Sequence, residues 1–174
     1  MFLMVILGGI ATFFCWPRTP VVIIGSYAQR QDPQKGIQWG NTEDKRPWME
    51  AQWLMNITLD NRENWIPTHI SKIDFTLLDS LTQQPFAVAS VADLAIQPHT
   101  NTMLANVNFY VHYNSRTDTD TTYQDLYHAC FQQKQGQDRP SMNVNMKAVF
   151  KYSGILWTST IVASPPSGGF LCPA

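Results

Sequence analysis

Two long stretches of alternating apolar and polar residues are the sequence feature that most constrains the fold of this chain. Residues 102 to 113 alternate an apolar series that begins at Met103 with a mostly polar series, and residues 142 to 151 repeat this pattern from Met142. Successive side chains of a β-strand point to opposite faces of the sheet, so each stretch predicts a long strand with one buried face.

Shorter strands are predicted where apolar series lie between turn-forming residues such as Gln97-Pro98 and Ser153-Gly154. These strands cover residues 21–26, 53–60, 70–78, 86–94 and 155–163. Seven strands at this spacing favour an all-β fold, an antiparallel β-sandwich, over an α/β sheet.

One segment between the two long strands has helical spacing instead. Thr121 and Gln124 have the spacing of a capping box ahead of it. The apolar residues that recur at intervals of three and four are Tyr123, Leu126, Tyr127, Cys130 and Phe131. We therefore expect one short amphipathic helix that covers an open end or edge of the sandwich.

The first sixteen residues, Met1 to Trp16, carry no charge and stop at a Pro-Arg-Thr-Pro sequence. They are apolar on every face, which is typical of a membrane segment rather than of a helix at the edge of a core. At 1.5 Å per residue, sixteen helical residues reach about 24 Å, whereas the hydrocarbon of a bilayer is about 30 Å thick. We therefore expect a transmembrane anchor truncated at its N-terminus, with Met1 inside a longer native helix. The main alternative, a cleaved signal peptide, needs a basic segment before the apolar run and a small-residue cleavage site after it.

The chain is expected to divide into three parts. Residues 1–16 form the anchor, residues 17–50 a juxtamembrane strand and spacer, and residues 51–174 the sandwich. The stretch from Gln29 to Pro47 is rich in Gln, Gly, Pro and charged residues, which predicts a long loop. Net charge is −1 and only 14% of residues are charged, so no nucleic-acid surface is expected.

The cysteines and one sequon indicate the compartment. Cys15 lies in the predicted anchor, Cys130 on the predicted helix and Cys172 near the end of a tail rich in Pro and Gly. We expect a Cys130–Cys172 disulfide that fastens this tail, and the alternative is two unpaired buried thiols. Asn56-Ile-Thr is an N-glycosylation sequon, and the alternation of its strand points Asn56 away from the apolar face. Disulfide and sequon together predict a domain outside the cytosol.

Three short motifs carry a resemblance to a known family. They are Cys-Trp-Pro-Arg-Thr-Pro-x-Val at 15–22, Asn61-Arg-Glu-Asn64 after a strand, and Ile96-Gln-Pro-His-Thr100 before a long alternating strand. In this order after an anchor, they resemble the late-embryogenesis-abundant group 2 (LEA-2) domain of water-stress and hypersensitive-response proteins, especially in fungal single-pass membrane proteins. The resemblance implies an immunoglobulin-like or fibronectin III-like sandwich on a type II membrane protein, with the domain in the vacuolar lumen or at the cell surface.

Residues that could carry catalysis are scattered. The four histidines fall on separate predicted elements without metal-ligand spacing: His69, His99, His112 and His128. Asp118 and Asp120 lack the loop glycine and distal glutamate of a calcium motif, and Asp120 is better explained as a charge at the helix N-terminus. We therefore expect no enzymatic activity, no metal and no cofactor.

Two functions are left by this reasoning. The first is a non-catalytic, membrane-tethered module with a binding or structural role in the stress response, vacuole or cell wall. The second is lipid binding or transfer, with an acyl chain held between the sheets. The residues that would line such a slot are Met103, Val107, Phe109, Val111, Val144, Met146 and Phe150. Ordinary core packing explains the same apolar faces and is preferred. The expected partners are the membrane and, for the second function, a lipid, while the sequence names no protein partner.

Overall fold

The computed structural model describes residues 2–16, 18–32, 34–117, 119–131, 140–166 and 168–173. Within these residues, nine strands and two helices follow one another along the chain. They are α1 (Phe2–Cys15), β1 (Val21–Ile24), β2 (Gln29–Arg30), β3 (Gln38–Asn41), β4 (Pro47–Asp60), β5 (Thr68–Asp79), β6 (Pro85–Ile96), β7 (Asn101–Asn114), α2 (Thr121–Cys130), β8 (Val144–Tyr152) and β9 (Thr158–Ala163). The strands predicted from alternation are all present.

The long strands form one antiparallel sheet in the order β1-β4-β7-β6-β5-β8-β9. The first and last strands of this order, β1 and β9, lie in contact, so the sheet nearly closes into a barrel. The ladder between β6 and β7 is short and consists of the pairs Ala87–Val111 and Val88–Tyr110. A nearly closed sheet encloses one interior, into which every second side chain of each strand points.

Large aromatic side chains fill this interior. Each of them is at most 1% exposed: Trp53, Phe75, Phe86, Phe109, Phe150 and Phe170. Burial of apolar surface contributes about 25 cal/mol per Å², so these rings are a main source of the stability of the fold. Phe170 lies outside the strands, which shows that the C-terminal tail completes the core.

A β-bulge in β7 lies opposite Asn56 of β4. The pairing shifts there, so that two residues, Ala105 and Asn106, face Asn56. Asn106 has a left-handed backbone with φ of 55°, and its N–H donates a hydrogen bond to Oδ1 of Asn56 at 3.0 Å. Asparagine adopts this conformation more readily than most residues, so the side chain and backbone of this pair stabilise the bulge.

The bulge corrects one prediction from the sequence. An extra residue in a strand moves the side chains on one side of it to the opposite face of the sheet. Met103 is therefore 63% exposed, and the expectation that it faces the interior was wrong. Leu104, predicted on the outer face, packs against the core instead.

Helix α2 is capped by Asp120 and not by the predicted Thr121–Gln124 capping box. Asp120 accepts hydrogen bonds from the N–H of Tyr123 at 3.2 Å and from the hydroxyl of Tyr113 at 2.9 Å. A carboxylate at this position satisfies a free N–H of the first turn, so the box is not needed. Burial, together with the hydrogen bond to Asp120, raises the pKa of Tyr113 to about 12.

The segment predicted as a long loop, Gln29 to Pro47, contains β2 and β3, and both pair with β4. Trp39 of β3 packs edge-on against three rings at α2, with centroids 5.6 to 5.9 Å apart. These rings belong to Tyr123, Tyr127 and Phe131. β2 and β3 are therefore held by pairing with β4, and β3 also by the contact of Trp39 with α2, which loop composition alone did not indicate.

Candidate functional site

Distinctive side chains come together at the end of the nearly closed sheet that lies nearest α1. We call it the helix-proximal end and define it by residues 16 and 18–20 together with the turns 61–67, 97–100 and 153–157. Antiparallel pairing brings these segments together, because Asp60 pairs with Asn101 and Thr68 pairs with Ile96. The site is therefore built by the topology from four separate parts of the chain.

Two buried asparagines, Asn61 and Asn64, hold the chain where it leaves α1, and we call them the asparagine clamp. Asn64 is 2% exposed. Its Oδ1 accepts from the N–H of Arg18 at 2.6 Å, and its Nδ2 donates to the carbonyl oxygen of Arg18 at 2.7 Å. Asn64 thus binds both the N–H and the carbonyl oxygen of the Arg18 backbone.

Asn61 links the clamp to the neighbouring turns. It is 1% exposed, accepts from Nδ2 of Asn64 at 2.5 Å and from the hydroxyl of Thr68 at 3.3 Å, and donates to the carbonyl oxygen of Gln97 at 2.9 Å. Buried amides are costly unless all their polar atoms are paired, and here the pairs connect three segments. The Asn-x-x-Asn motif recognised in the sequence is therefore a structural clamp.

Aromatic and apolar side chains surround the clamp at the surface. Trp65 packs edge-on against Phe14 of α1 with ring centroids 5.1 Å apart, and Trp157 stacks on Trp16 at 6.3 Å. Leu156, at the tip of the turn 153–157, is fully exposed. Three partly exposed tryptophans and one fully exposed leucine thus lie at the helix-proximal end, and two of the tryptophans contact the side chains of residues 14 and 16.

The charged groups at this end are paired with one another. Nη2 of Arg62 lies 2.6 Å from Oδ2 of Asp60, and this hydrogen bond lowers the pKa of the Asp60 carboxyl. Arg18 lies 3.9 Å from Glu63. The helix-proximal end therefore presents apolar side chains with little net charge.

Helix α1 projects from this end with every side chain exposed. Its fourteen residues include no charged residue. Across the described ranges, no helix combines the length and the apolar character needed to cross a membrane.

The predicted disulfide agrees with the structure. Cys130 and Cys172 are placed at disulfide distance, with their Cα atoms 5.1 Å apart. Phe170 also exchanges backbone hydrogen bonds with Met142 at 2.8 and 2.9 Å, so the tail is held at two points. Cys15 is a free, exposed cysteine on α1.

The predicted slot residues are mostly core. Six of the seven are at most 7% exposed: Val107, Phe109, Val111, Val144, Met146 and Phe150. Met103, the seventh, lies on the outer face because of the bulge. The residues proposed to line a lipid slot are thus packed with the other core side chains rather than grouped around an opening.

Asn56 is exposed, as the sequon requires, although its Oδ1 is engaged at the bulge. The four histidines all lie at the surface, and His99 and His112 belong to opposite ends of β7. Asp118 falls outside the described residues. In the part of the chain that the structure describes, no three His, Cys, Asp or Glu side chains come together in a group that could hold a metal ion.

Comparisons with known proteins add no relative. No protein-family model matches the chain, and a search of curated proteins finds no match. The class of protein is therefore stated from the structure: a mostly antiparallel β domain with a nearly closed sheet, bearing an exposed apolar helix clamped to one end.

Proposed function

We propose that this chain is a non-catalytic module tethered to a membrane by α1, with its β domain on the extracytoplasmic side in a binding or structural role. We further propose that the domain is a LEA-2-like sandwich of the immunoglobulin or fibronectin III type, at the vacuolar lumen or cell surface. The observation that supports the tether is that α1 is uncharged and has no buried residue, yet the chain just after it is fixed to the domain through Arg18 and Asn64.

An uncharged apolar helix without buried residues is costly to leave in water. An exposed apolar surface of this kind marks a membrane or protein interaction site in a folded protein. A clamp at the helix exit would be expected where the orientation of the domain relative to a membrane matters. The Cys130–Cys172 pair and the exposed Asn56 support an extracytoplasmic location, since both disulfides and N-glycans belong to oxidising compartments.

Lipid transfer is the less well supported of the two functions. It requires space between the inner side chains, whereas Phe109 and Phe150 are fully buried against their neighbours. We therefore favour a binding or structural role, in which the outer surface of the domain acts.

Alkaline carbonate extraction of membranes tests the tether. The chain is expected in the membrane pellet, and a Leu7→Arg, Ile10→Arg double variant in the supernatant, because each arginine in the middle of an inserted helix costs about 3 kcal/mol. Both side chains are about half exposed in the structure, so the β domain keeps its fold.

The matched control is a Leu81→Arg, Val162→Arg variant, which adds the same charge at exposed positions of the domain and is expected to stay in the pellet. Recovery of the unmodified chain in the supernatant, or equal partitioning of the two double variants, would refute the tether.

A further inference from the structure

The exposed tip Leu156-Trp157 and Trp65 form an apolar rim around the exit of α1. Leu156 is fully exposed, and Trp65 and Trp157 are 55% and 39% exposed. Trp157 also contacts the ring of Tyr152 at 5.3 Å, and Trp65 contacts the ring of His99 at 4.8 Å. Leu156 and the exposed parts of both rings nevertheless face solvent on two separate turns. We propose that this rim, the residues Trp65, Leu156 and Trp157, docks into the interfacial layer of a zwitterionic phospholipid bilayer, an inference that rests on the proposed tether.

The length of chain between helix and domain sets the height of the rim. Arg18 is fixed to Asn64 of the domain by two hydrogen bonds. Three peptide units separate Cys15, the last residue of α1, from Arg18, and they span at most about 11 Å. The headgroup layer on each side of the hydrocarbon is about 5 to 7 Å thick. If α1 lies in hydrocarbon up to Cys15, Arg18 is therefore at most about 11 Å from the hydrocarbon boundary, which is inside the headgroup layer or a few Å beyond it.

The ring contacts place the rim at this same height. Trp65 touches Phe14, and Trp157 stacks on Trp16, so both rings lie level with the end of α1. Tryptophan concentrates at the membrane interface because its ring is apolar and its N–H is polar. The rim continues the apolar surface of α1 onto the domain.

The charges indicate which surface the rim fits. Arg62 is paired with Asp60 and Arg18 lies beside Glu63, so the helix-proximal end has no unpaired basic cluster. Anionic lipids are bound by such clusters, and their attraction falls with salt. Docking should therefore proceed on phosphatidylcholine alone and should not depend on added phosphatidylserine.

The test uses the oxidised full chain in phosphatidylcholine vesicles, in a Cys15→Ser background that leaves the Cys130–Cys172 pair intact. An environment-sensitive fluorophore is attached in turn at Leu156→Cys, Leu81→Cys and Ile6→Cys. Leu81 is the matched control, because it is an exposed leucine in the turn at the other end of β5. The twelve residues of β5 span about 40 Å, which separates this turn from the rim. All three side chains are exposed, so the labels do not disturb the core.

The label at 156 is expected to be quenched by a lipid with a spin label near the headgroup. Its quenching by aqueous iodide should be at least about threefold weaker than at 81, since an interfacial side chain is shielded from ions. The label at 6 is expected to be quenched by a lipid labelled deep in the acyl chain.

The three labels separate the two proposals. If the label at 6 is quenched by lipid and the label at 156 is as open to iodide as that at 81, the docking is wrong and the tether stands. If the label at 6 lies in water, the tether is wrong and the docking falls with it. Protection at 156 from iodide without quenching by lipid would show a second copy of this chain on the rim. A requirement for added phosphatidylserine would show a charge-driven surface. Either result overturns the proposal.

Discussion

Loss of the Asn64 side chain should detach the exit of α1 from the β domain. The Asn64→Ala substitution removes three hydrogen bonds, two to the backbone of Arg18 and one to Asn61. It also leaves the Oδ1 of Asn61 with one donor, the hydroxyl of Thr68, in a site that is 1% exposed. Asn61 and Asn64 would then no longer hold the segment that leads to β1 through hydrogen bonds.

The size of the effect follows from these bonds. A hydrogen bond contributes about 0.5 to 1.5 kcal/mol net, and a buried group left unpaired costs about 1 to 3 kcal/mol. The Arg18 backbone is only partly buried and regains some hydration from water. We therefore expect Asn64→Ala to lower the free energy of unfolding by about 2 to 4 kcal/mol, or the Tm by about 6 to 12 °C for a chain of this size.

Asn64→Asp separates hydrogen bonding from loss of volume. The carboxylate has the shape of the amide and keeps the acceptor for the N–H of Arg18. It loses both donors and faces the carbonyl oxygen of Arg18 and Oδ1 of Asn61. At pH 7 this variant should be destabilised at least as much as Asn64→Ala.

Urea unfolding in a mild detergent, followed by tryptophan fluorescence, measures these differences at a fixed m-value. Asn108→Ala, a loss of the same amide at an exposed position of β7, is the control and should change stability by less than about 0.5 kcal/mol. A loss below about 1 kcal/mol for Asn64→Ala, or an Asn64→Asp variant as stable as the unmodified chain, would refute the clamp.

Three further predictions concern the disulfide, the sequon and one surface carboxylate. Cys172→Ala opens a link between residues 42 apart in sequence and should cost about 4 kcal/mol in chemical denaturation on the loop-entropy relation. When the protein is expressed through the secretory pathway, Asn56→Gln should remove the mass shift that a glycosidase produces. The same substitution should lower the free energy of unfolding by about 1 kcal/mol, because the hydrogen bond from the N–H of Asn106 is lost. Asp74→Asn should cost no more than about 1 kcal/mol at pH 7, because Asp74 is one-third exposed and its pairs with Lys72 and Lys151 are screened.

The pH dependence of the last variant has a definite sign. Hydrogen bonds from Lys72, then Lys151, lower the pKa of Asp74 in the folded protein. The carboxylate thus contributes stability above its unfolded pKa of about 3.9, and that stability is lost as pH falls through the lower folded value. The difference between Asp74→Asn and the unmodified chain should disappear in acid. A difference for Asp74→Asn that grows in acid would contradict this prediction. A Cys172→Ala chain of unchanged stability would contradict the stabilising disulfide. An Asn56→Gln chain that keeps the mass shift would contradict glycosylation at Asn56.

The strands and α2 could be predicted from the sequence because their periodicity reflects burial directly. The face of Met103 could not, because the bulge at Ala105 and Asn106 has no glycine or proline to mark it. A period of two carries no information about an inserted residue until the partner strand is known. Strands β2 and β3 could not be predicted for a similar reason, since they are held by pairing with β4 and by the contact of Trp39 with α2.

Only part of the candidate site could be predicted from the sequence. The Asn-x-x-Asn motif stood out in the sequence, but its partner is the backbone of Arg18, forty-six positions from Asn64. Backbone groups leave no signature in a sequence, so the clamp needed the structure. The apolar series at 155–163 predicts a strand that includes Leu156 and Trp157, whereas β9 begins at Thr158 and leaves both residues in the turn.

Protease protection on sealed membrane vesicles with their cytoplasmic face outward is the decisive test of an extracytoplasmic β domain tethered by α1. The β domain is expected to resist added protease until detergent opens the vesicles, and its glycan is expected to depend on Asn56. Digestion of the domain in sealed vesicles, with an intact luminal control protein, would contradict an extracytoplasmic domain tethered by α1.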